Sequence, residues 1–138
     1  MLPQVTINYL AVVVAALVSM VVGFVWYSFL FGKAWMKAVN ITQKGLASGR
    51  KEANKYYLIM AVASLVSAYV LAHFADYVGA STVGEGLALG FWVWLGFVAA
   101  TSLGDYLFSG RPKNLYLINN GSLLVSMLIM AVILAIWV

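Results

Sequence analysis

Long apolar stretches alternate with short polar connections along the chain, and no charged residue precedes Lys33. A helix that crosses a bilayer needs about 20 predominantly apolar residues. Four stretches meet that requirement, and they predict transmembrane helices over residues 8–31, 56–75, 86–108 and 115–138. We therefore expect an all-α integral membrane protein, with residues 1–138 forming a single four-helix bundle.

The exit from the first span predicts an additional short helix. Phe31, Trp35 and Val39 fall on one helical side. Lys33 and Lys37 fall on another side. Apolar and aromatic side chains opposite lysines are typical of an amphipathic helix that lies in the membrane interface.

The composition agrees with a membrane protein and narrows the possible chemistry. Hydrophobic residues make up 64% of the chain, charged residues 9%, and the mean hydropathy is +0.98, which leaves too few polar side chains to cover a water-soluble globule. The chain has no cysteine and one histidine. Disulfides and thiolate metal sites are therefore excluded, and a multi-histidine site is excluded within one chain. We predict no metal site, no cofactor and no catalytic residue.

The basic residues indicate an orientation. All eight lie in the first and third connections: Lys33, Lys37, Lys44, Arg50, Lys51, Lys55, Arg111 and Lys113. Positive residues flanking membrane spans mark the cytoplasmic side. Both termini and the connection of residues 76–85 are then expected outside. Basic loops beside a membrane attract anionic lipid headgroups, so we expect lipid rather than nucleic acid as the partner.

Small residues recur at a spacing of four on three of the spans, and such faces let helix backbones approach closely. In the first span they are Ala11, Ala15, Ser19 and Gly23, and in the second span Ser64, Ala68 and Ala72. In the third span Gly86 and Gly90 form one such pair, and Gly96, Ala100 and Gly104 extend the spacing. The spacing predicts tight packing within one chain or between copies, and we expect a homo-oligomer or a membrane partner protein.

Polar residues within the spans collect near the predicted cytoplasmic ends. This candidate cluster comprises Asp105, Arg111, Asn119, Asn120, Trp26, Tyr27 and Ser28. Ionisable groups within a membrane are costly and often functional. The alternative is a salt bridge between Asp105 and Arg111 that holds the third and fourth spans together. At the outer ends, His73 and Asp76 form a second polar group, for which a structural hydrogen-bonding role is the simpler interpretation.

Four segments resemble the bacterial membrane family called domain of unknown function 1761: INYLAVVVAALVS, WYSFLFGKAW, FSGRP and LYLINNGSLLVSMLIMAVILAIW. The family's typical exit from helix one is matched at Trp26, Tyr27, Ser28, Phe31, Gly32, Lys33, Ala34 and Trp35. Phe29 stands where a proline is often found. The resemblance implies a small four-helix protein of the bacterial cytoplasmic (inner) membrane, and it implies no activity.

Three functions remain open. We favour a non-enzymatic bundle that binds lipid or a partner protein. A small oligomeric transporter of a hydrophobic or cationic solute is the second possibility. Small multidrug resistance proteins have this size, but they carry a glutamate in helix one, and this first span has no charge. A membrane enzyme with a cytoplasmic-side site between protomers is the third possibility, although no nucleophile, base and orienting residue are visible together.

Overall fold

The computed structural model describes residues 4–39 and 53–137, and every regular element in them is helical. In chain order these elements are α1 (Tyr9–Val25), a π-helical segment (Trp26–Leu30), α2 (Gly32–Val39), α3 (Ala53–Tyr77), α4 (Val83–Trp94), a second π-helical segment (Leu95–Ala99), α5 (Ala100–Ser109) and α6 (Lys113–Ile136). Residues 40–52, which include Lys44, Arg50 and Lys51 of the basic set, lie outside the described residues.

Four helices are long and apolar enough to cross a membrane. They are Tyr9–Leu30, Asn54–Tyr77, Val83–Ser109 and Lys113–Ile136, which we call spans one to four. The first and third each join an α-helix to a π-helical segment without a break in the rod. The predicted all-α class with four apolar spans is confirmed.

The helix ends follow local chemistry and differ from the predicted bounds by a few residues. Span three begins ahead of the predicted residue 86 because Thr82 caps α4, its hydroxyl accepting a hydrogen bond from the Glu85 N–H at 3.1 Å. The Glu85 carboxylate accepts from the Ser81 N–H at 2.8 Å. α5 ends at Gly110, whose φ of 70° is readily adopted only by glycine. Pro112 then caps α6 in an extended conformation.

α2 begins at Gly32 directly after span one, because the chain bends at Phe31. A Cβ on Gly32 would lie 2.5 Å from the Tyr27 carbonyl oxygen, so no larger residue fits there without a shift of the backbone. Lys33 and Lys37 are exposed on α2, whereas Trp35 is half-buried. This places the short helix as predicted after span one, and it packs against α6.

α6 lies at the centre of the bundle and contacts α1, α3 and α4. The buried core consists mainly of small side chains: Ala11, Val12, Ala15, Ala16, Ala68, Leu71, Ala75, Met130, Ala131 and Leu134. No large side chain in the described residues is fully buried. Close approach of helix backbones, rather than interlocking of large side chains, therefore holds this core together.

The small-residue positions of span one divide into two groups. Ala11 and Ala15 are fully buried in the core. Ser19 is half-buried, and its hydroxyl donates to the Ala16 carbonyl at 2.9 Å. A Cβ on Gly23 would meet nothing within 4 Å. The face packs within the chain along its first half.

The small-residue positions of span three divide in the same way. A Cβ on Gly86 would lie 2.8 Å from the Cα of Val132, and a Cβ on Gly90 would lie 2.8 Å from the Met127 carbonyl oxygen. Beyond the second π-helical segment the rod contacts α6 much less. Around Gly96 and Gly104 there is open space, and Ala100 is exposed. Contact of these last three positions with another copy stays a prediction.

The outer surface of the bundle is strongly apolar. Large hydrophobic side chains are exposed on every span, including Phe29, Leu58, Phe97 and Phe108, the last of them 94% exposed. An apolar surface of this extent is typical of helices whose outward faces meet lipid.

Candidate functional site at the basic end

Spans one and three bring aromatic side chains with polar tips against the first half of α6. The Trp26 indole N–H donates to the Ile118 carbonyl at 2.9 Å. The Trp94 indole N–H donates to the Asn120 carbonyl, also at 2.9 Å. Both tryptophans thus join their own span to the backbone of span four, at positions two residues apart.

A chain of three side chains links spans one, four and three. The Tyr27 hydroxyl donates to Asn119 Oδ1 at 2.7 Å. Asn119 Nδ2 donates to the Tyr106 hydroxyl, also at 2.7 Å. Asn119 therefore bridges two tyrosines from different helices, and each of its two polar atoms has a partner.

Asn120 is only 4% exposed and is satisfied in the same manner. Its Nδ2 donates to the Tyr116 carbonyl at 3.0 Å. Its Oδ1 lies 3.3 Å from the Ser102 hydroxyl, whose shorter hydrogen bond goes to the Val98 carbonyl at 2.7 Å. No buried side-chain nitrogen or oxygen in the described residues lacks a partner. A buried amide whose polar atoms have partners stabilises a packed interface.

The π-helical segments lie beside this network. A π-turn shifts backbone pairing from i+4 to i+5, as in the 2.7 Å bond from the Phe31 N–H to the Trp26 carbonyl. At the end of the second segment, the Ala99 carbonyl accepts from the Tyr116 hydroxyl at 2.6 Å. This hydrogen bond joins the end of the second π-helical segment to span four.

Gly121 makes room for this arrangement. A Cβ there would lie 2.9 Å from Trp26 Cζ2, so the indole ring rests directly against the glycine. We call the connected set the aromatic-amide network, defined as Trp26, Tyr27, Trp94, Ser102, Tyr106, Tyr116, Asn119 and Asn120.

The ionisable members of the predicted cluster lie at the surface, at the edge of this network. Arg111 Nη1 and Asp105 Oδ2 are 4.0 Å apart, and their side chains are 53% and 66% exposed. The Arg111 guanidinium also lies 5.8 Å from the centre of the Tyr106 ring. Ser28 is exposed. The structure therefore joins Trp26, Tyr27, Asn119 and Asn120, and places the Asp105–Arg111 pair at the surface, where an ion pair contributes little.

His73 and Asp76 lie at the opposite end of the bundle, near the end of α3. His73 Nδ1 is 2.8 Å from the Tyr69 carbonyl, so this nitrogen acts as the donor. Its ring packs edge-on against Tyr69, with a centroid distance of 4.6 Å, and against Tyr77 at 6.2 Å. Asp76 is exposed. We call the end that carries Asp76 and Glu85 the acidic end.

Five basic side chains of the described residues surround the other end of the bundle, which we call the basic end. Lys33 and Lys37 come from α2, and Lys55 comes from the first turn of α3. Arg111 lies in the turn between α5 and α6, and Lys113 is the first residue of α6. All five are exposed, and α2 packs against α6. The one acidic side chain described at this end is Asp105.

The described residues contain no group of three or more His, Cys, Asp or Glu placed to hold a metal ion. The aromatic-amide network lines neither the cleft between α1, α3 and α6 nor the cleft between α4 and α6. The network consists of amides and hydroxyls that hydrogen-bond one another and of indoles that donate to backbone carbonyls. It is suited to joining helices, and the exposed basic side chains around it are suited to binding anions.

Sequence reasoning identified half of the network and missed Trp94, Ser102, Tyr106 and Tyr116. One signal was present, because Ser102 and Tyr106 are four residues apart and so share a helix face. Their pairing with Asn119 and Asn120 depends on the rotation of span three against span four. The sequence pattern contains no measure of that rotation.

The chain matches the family model described as "Protein of unknown function (DUF1761)" over residues 10–135. No curated protein and no solved structure matches it. The matched residues include all four apolar spans almost completely. The chain therefore belongs to the DUF1761 family of proteins of unknown function.

Proposed function

We propose that this protein is a non-enzymatic membrane protein that binds the headgroups of anionic lipids at its basic end. The observation that carries the proposal is the position of Lys33, Lys37, Lys55, Arg111 and Lys113, all exposed at one end of an apolar bundle. Each lysine or arginine near an anionic membrane surface contributes about 1 kcal/mol of attraction. Together they give a substantial preference for anionic over neutral lipid.

The aromatic-amide network supports this proposal because its polar groups are already hydrogen-bonded to neighbouring residues. A transporter or enzyme needs polar groups that are free to meet a solute or substrate. Here Asn119 and Asn120 are occupied by their neighbours, and the two titratable groups of greatest interest, Asp105 and His73, lie at opposite ends. The network is better suited to holding α6 in place beneath the basic side chains.

The same reasoning extends to location and assembly. We place the chain in a bacterial cytoplasmic membrane as a multi-pass protein, with the basic end inside and both termini outside. The open faces at Gly96, Ala100 and Gly104 support association with a second copy or a membrane partner.

Lipid titration followed by native mass spectrometry tests the lipid preference. The purified protein is mixed in detergent with phosphatidylglycerol or with diacylglycerol of the same acyl chains, and bound lipid is counted. We expect phosphatidylglycerol to bind at least about tenfold more tightly, because its phosphate carries the negative charge that the basic side chains attract and diacylglycerol has none.

Two matched variants separate charge from shape. The variant K33Q/K37Q/K44Q/R50Q/K51Q/K55Q/R111Q/K113Q, which removes every lysine and arginine, should lose most of the preference for phosphatidylglycerol. The variant K33R/R111K, which keeps every charge, should retain it. Equal binding of the two lipids by the parent protein, or full preference in the uncharged variant, would contradict the proposal.

A further inference from the structure

A cleft of about 220 Å³ opens at the acidic end, between the start of α1, the end of α3 and the end of α6. Its lining includes Thr6, Asn8, Asp76, Ala80, Leu134 and Trp137. We propose that this cleft binds a small organic ammonium group, with Asp76 as the counter-charge and Trp137 as an aromatic wall. The proposal is independent of lipid binding at the basic end.

The charge at this end favours a cation. No lysine or arginine occurs in residues 1–32, 56–110 or 114–138, which supply the whole cleft lining. α3 ends at Tyr77, and the C-terminal end of a helix carries a negative partial charge from its aligned peptide dipoles. Asp76 adds a full negative charge to that end.

The Asp76 carboxylate is available to a ligand. Among the described residues it accepts no hydrogen bond and forms no ion pair. The Glu85 carboxylate, in contrast, accepts a hydrogen bond from the Ser81 N–H at 2.8 Å. Asn8 is also occupied, because its Oδ1 accepts from the Ala11 N–H at 3.2 Å. Asp76 is therefore the carboxylate at this end that lines the cleft and has free acceptor oxygens.

The remaining lining suits a methylated or otherwise partly apolar ammonium group. Ala11, Ala72 and Ala75 contribute small apolar side chains, and Trp137 contributes an indole. Aromatic faces attract quaternary ammonium groups through the ring quadrupole. The cleft is smaller than the roughly 300–1,000 Å³ of sites for drug-sized ligands, so it fits a headgroup-sized cation.

Methyl NMR of alanine provides the direct test. The full chain, labelled with ¹³C at alanine methyls, is titrated in maltoside micelles with choline and separately with 3,3-dimethyl-1-butanol, its uncharged isostere. We expect choline to shift the methyl signals of Ala11, Ala72, Ala75 and Ala80, while those of Ala99 and Ala100 in span three stay unchanged. The uncharged isostere should bind several-fold more weakly.

Three variants locate the charge and the ring. D76N should weaken choline binding about fivefold, and E85Q, which removes the same charge outside the cleft lining, should change it less than about twofold. W137L should weaken choline binding about threefold or more. W137F, which keeps an aromatic ring, should retain most of the affinity of the parent protein. Because Asp76 and Trp137 are both exposed, these changes should leave the fold intact, which the unshifted methyl signals verify.

A free solute and a lipid headgroup carry the same ammonium chemistry, and bicelles distinguish them. Perturbation of the same methyls by phosphatidylcholine but not by phosphatidylglycerol identifies a lipid, whereas perturbation only after addition of free choline identifies a solute. Either result supports the site. Equal shifts with choline and its uncharged isostere, or equal weakening by D76N and E85Q, would overturn it.

Discussion

The contact between Gly90 and α6 can be tested by adding one methyl group. In Gly90→Ala the new Cβ would lie 2.8 Å from the Met127 carbonyl oxygen and 3.0 Å from the Leu128 Cα. Both neighbours are backbone atoms of a helix and cannot rotate away. α4 must therefore move outward by several tenths of an ångström, and overpacking of this kind costs about 1–3 kcal/mol.

Gly104→Ala is the matched control, because a Cβ there meets nothing within 4 Å. Replacing glycine by alanine within a helix is favourable by about 1 kcal/mol, and this gain is common to both variants. The difference between them thus isolates the steric cost. We expect G90A to be about 1–3 kcal/mol less stable than G104A.

Equilibrium unfolding in mixed micelles of dodecylmaltoside and sodium dodecyl sulfate, followed by circular dichroism, measures this difference. The packing of span three against span four is refuted if G90A and G104A unfold at the same detergent fraction. It is also refuted if G104A is the less stable of the two.

Three further predictions concern the basic end. Gly121→Ala should destabilise the bundle by about 1–2 kcal/mol because its methyl meets the Trp26 ring, and the double variant with Trp26→Phe should lose less than the sum of the single losses in the same unfolding assay. Tyr27→Phe should cost about 0.5–1.5 kcal/mol, the contribution of one hydrogen bond, and an unchanged midpoint would remove Tyr27 from the network. Asp105→Asn and Arg111→Gln should each change stability by about 0–1 kcal/mol, with little coupling in a double-mutant cycle, because the pair is exposed and 4.0 Å apart.

The four spans were predictable because lipid imposes a simple rule on sequence. An apolar stretch of sufficient length must form a helix in a bilayer, where unpaired backbone groups have no water to bond. The ends were harder to place because polar residues extend the helices past the apolar stretches. Thr82 and Glu85 start span three in the connection, and Pro112 allows span four to begin at Lys113.

The candidate site was only partly predictable. Asn119 and Asn120 were identified because amides within a span need partners. Which partners they have depends on the rotation of neighbouring helices, and the two π-helical segments alter that rotation within spans one and three. The aromatic stretch WYSFL shows no feature that separates a π-turn from an ordinary α-turn.

The ion pair illustrates a different difficulty. Asp105 and Arg111 are separated by a tight turn at Gly110, so sequence proximity predicts contact. The structure brings them to 4.0 Å, but both side chains face outward. The short separation along the chain keeps the two side chains close, so their contact was predictable. Their exposure was not, because it depends on the path of α5, which contacts α6 only slightly.

Both proposed sites depend on a bundle that crosses a membrane with its basic end on the cytoplasmic side. The chain contains no cysteine, so Ser81→Cys at the acidic end and Ser109→Cys at the basic end each introduce a single thiol at an exposed position. Intact cells expressing each variant are treated with a membrane-impermeant maleimide, with and without prior permeabilisation. We predict labelling of S81C in intact cells and labelling of S109C only after permeabilisation. Strong labelling of S109C in intact cells would contradict the orientation, and labelling of both positions from outside would contradict the four-span topology.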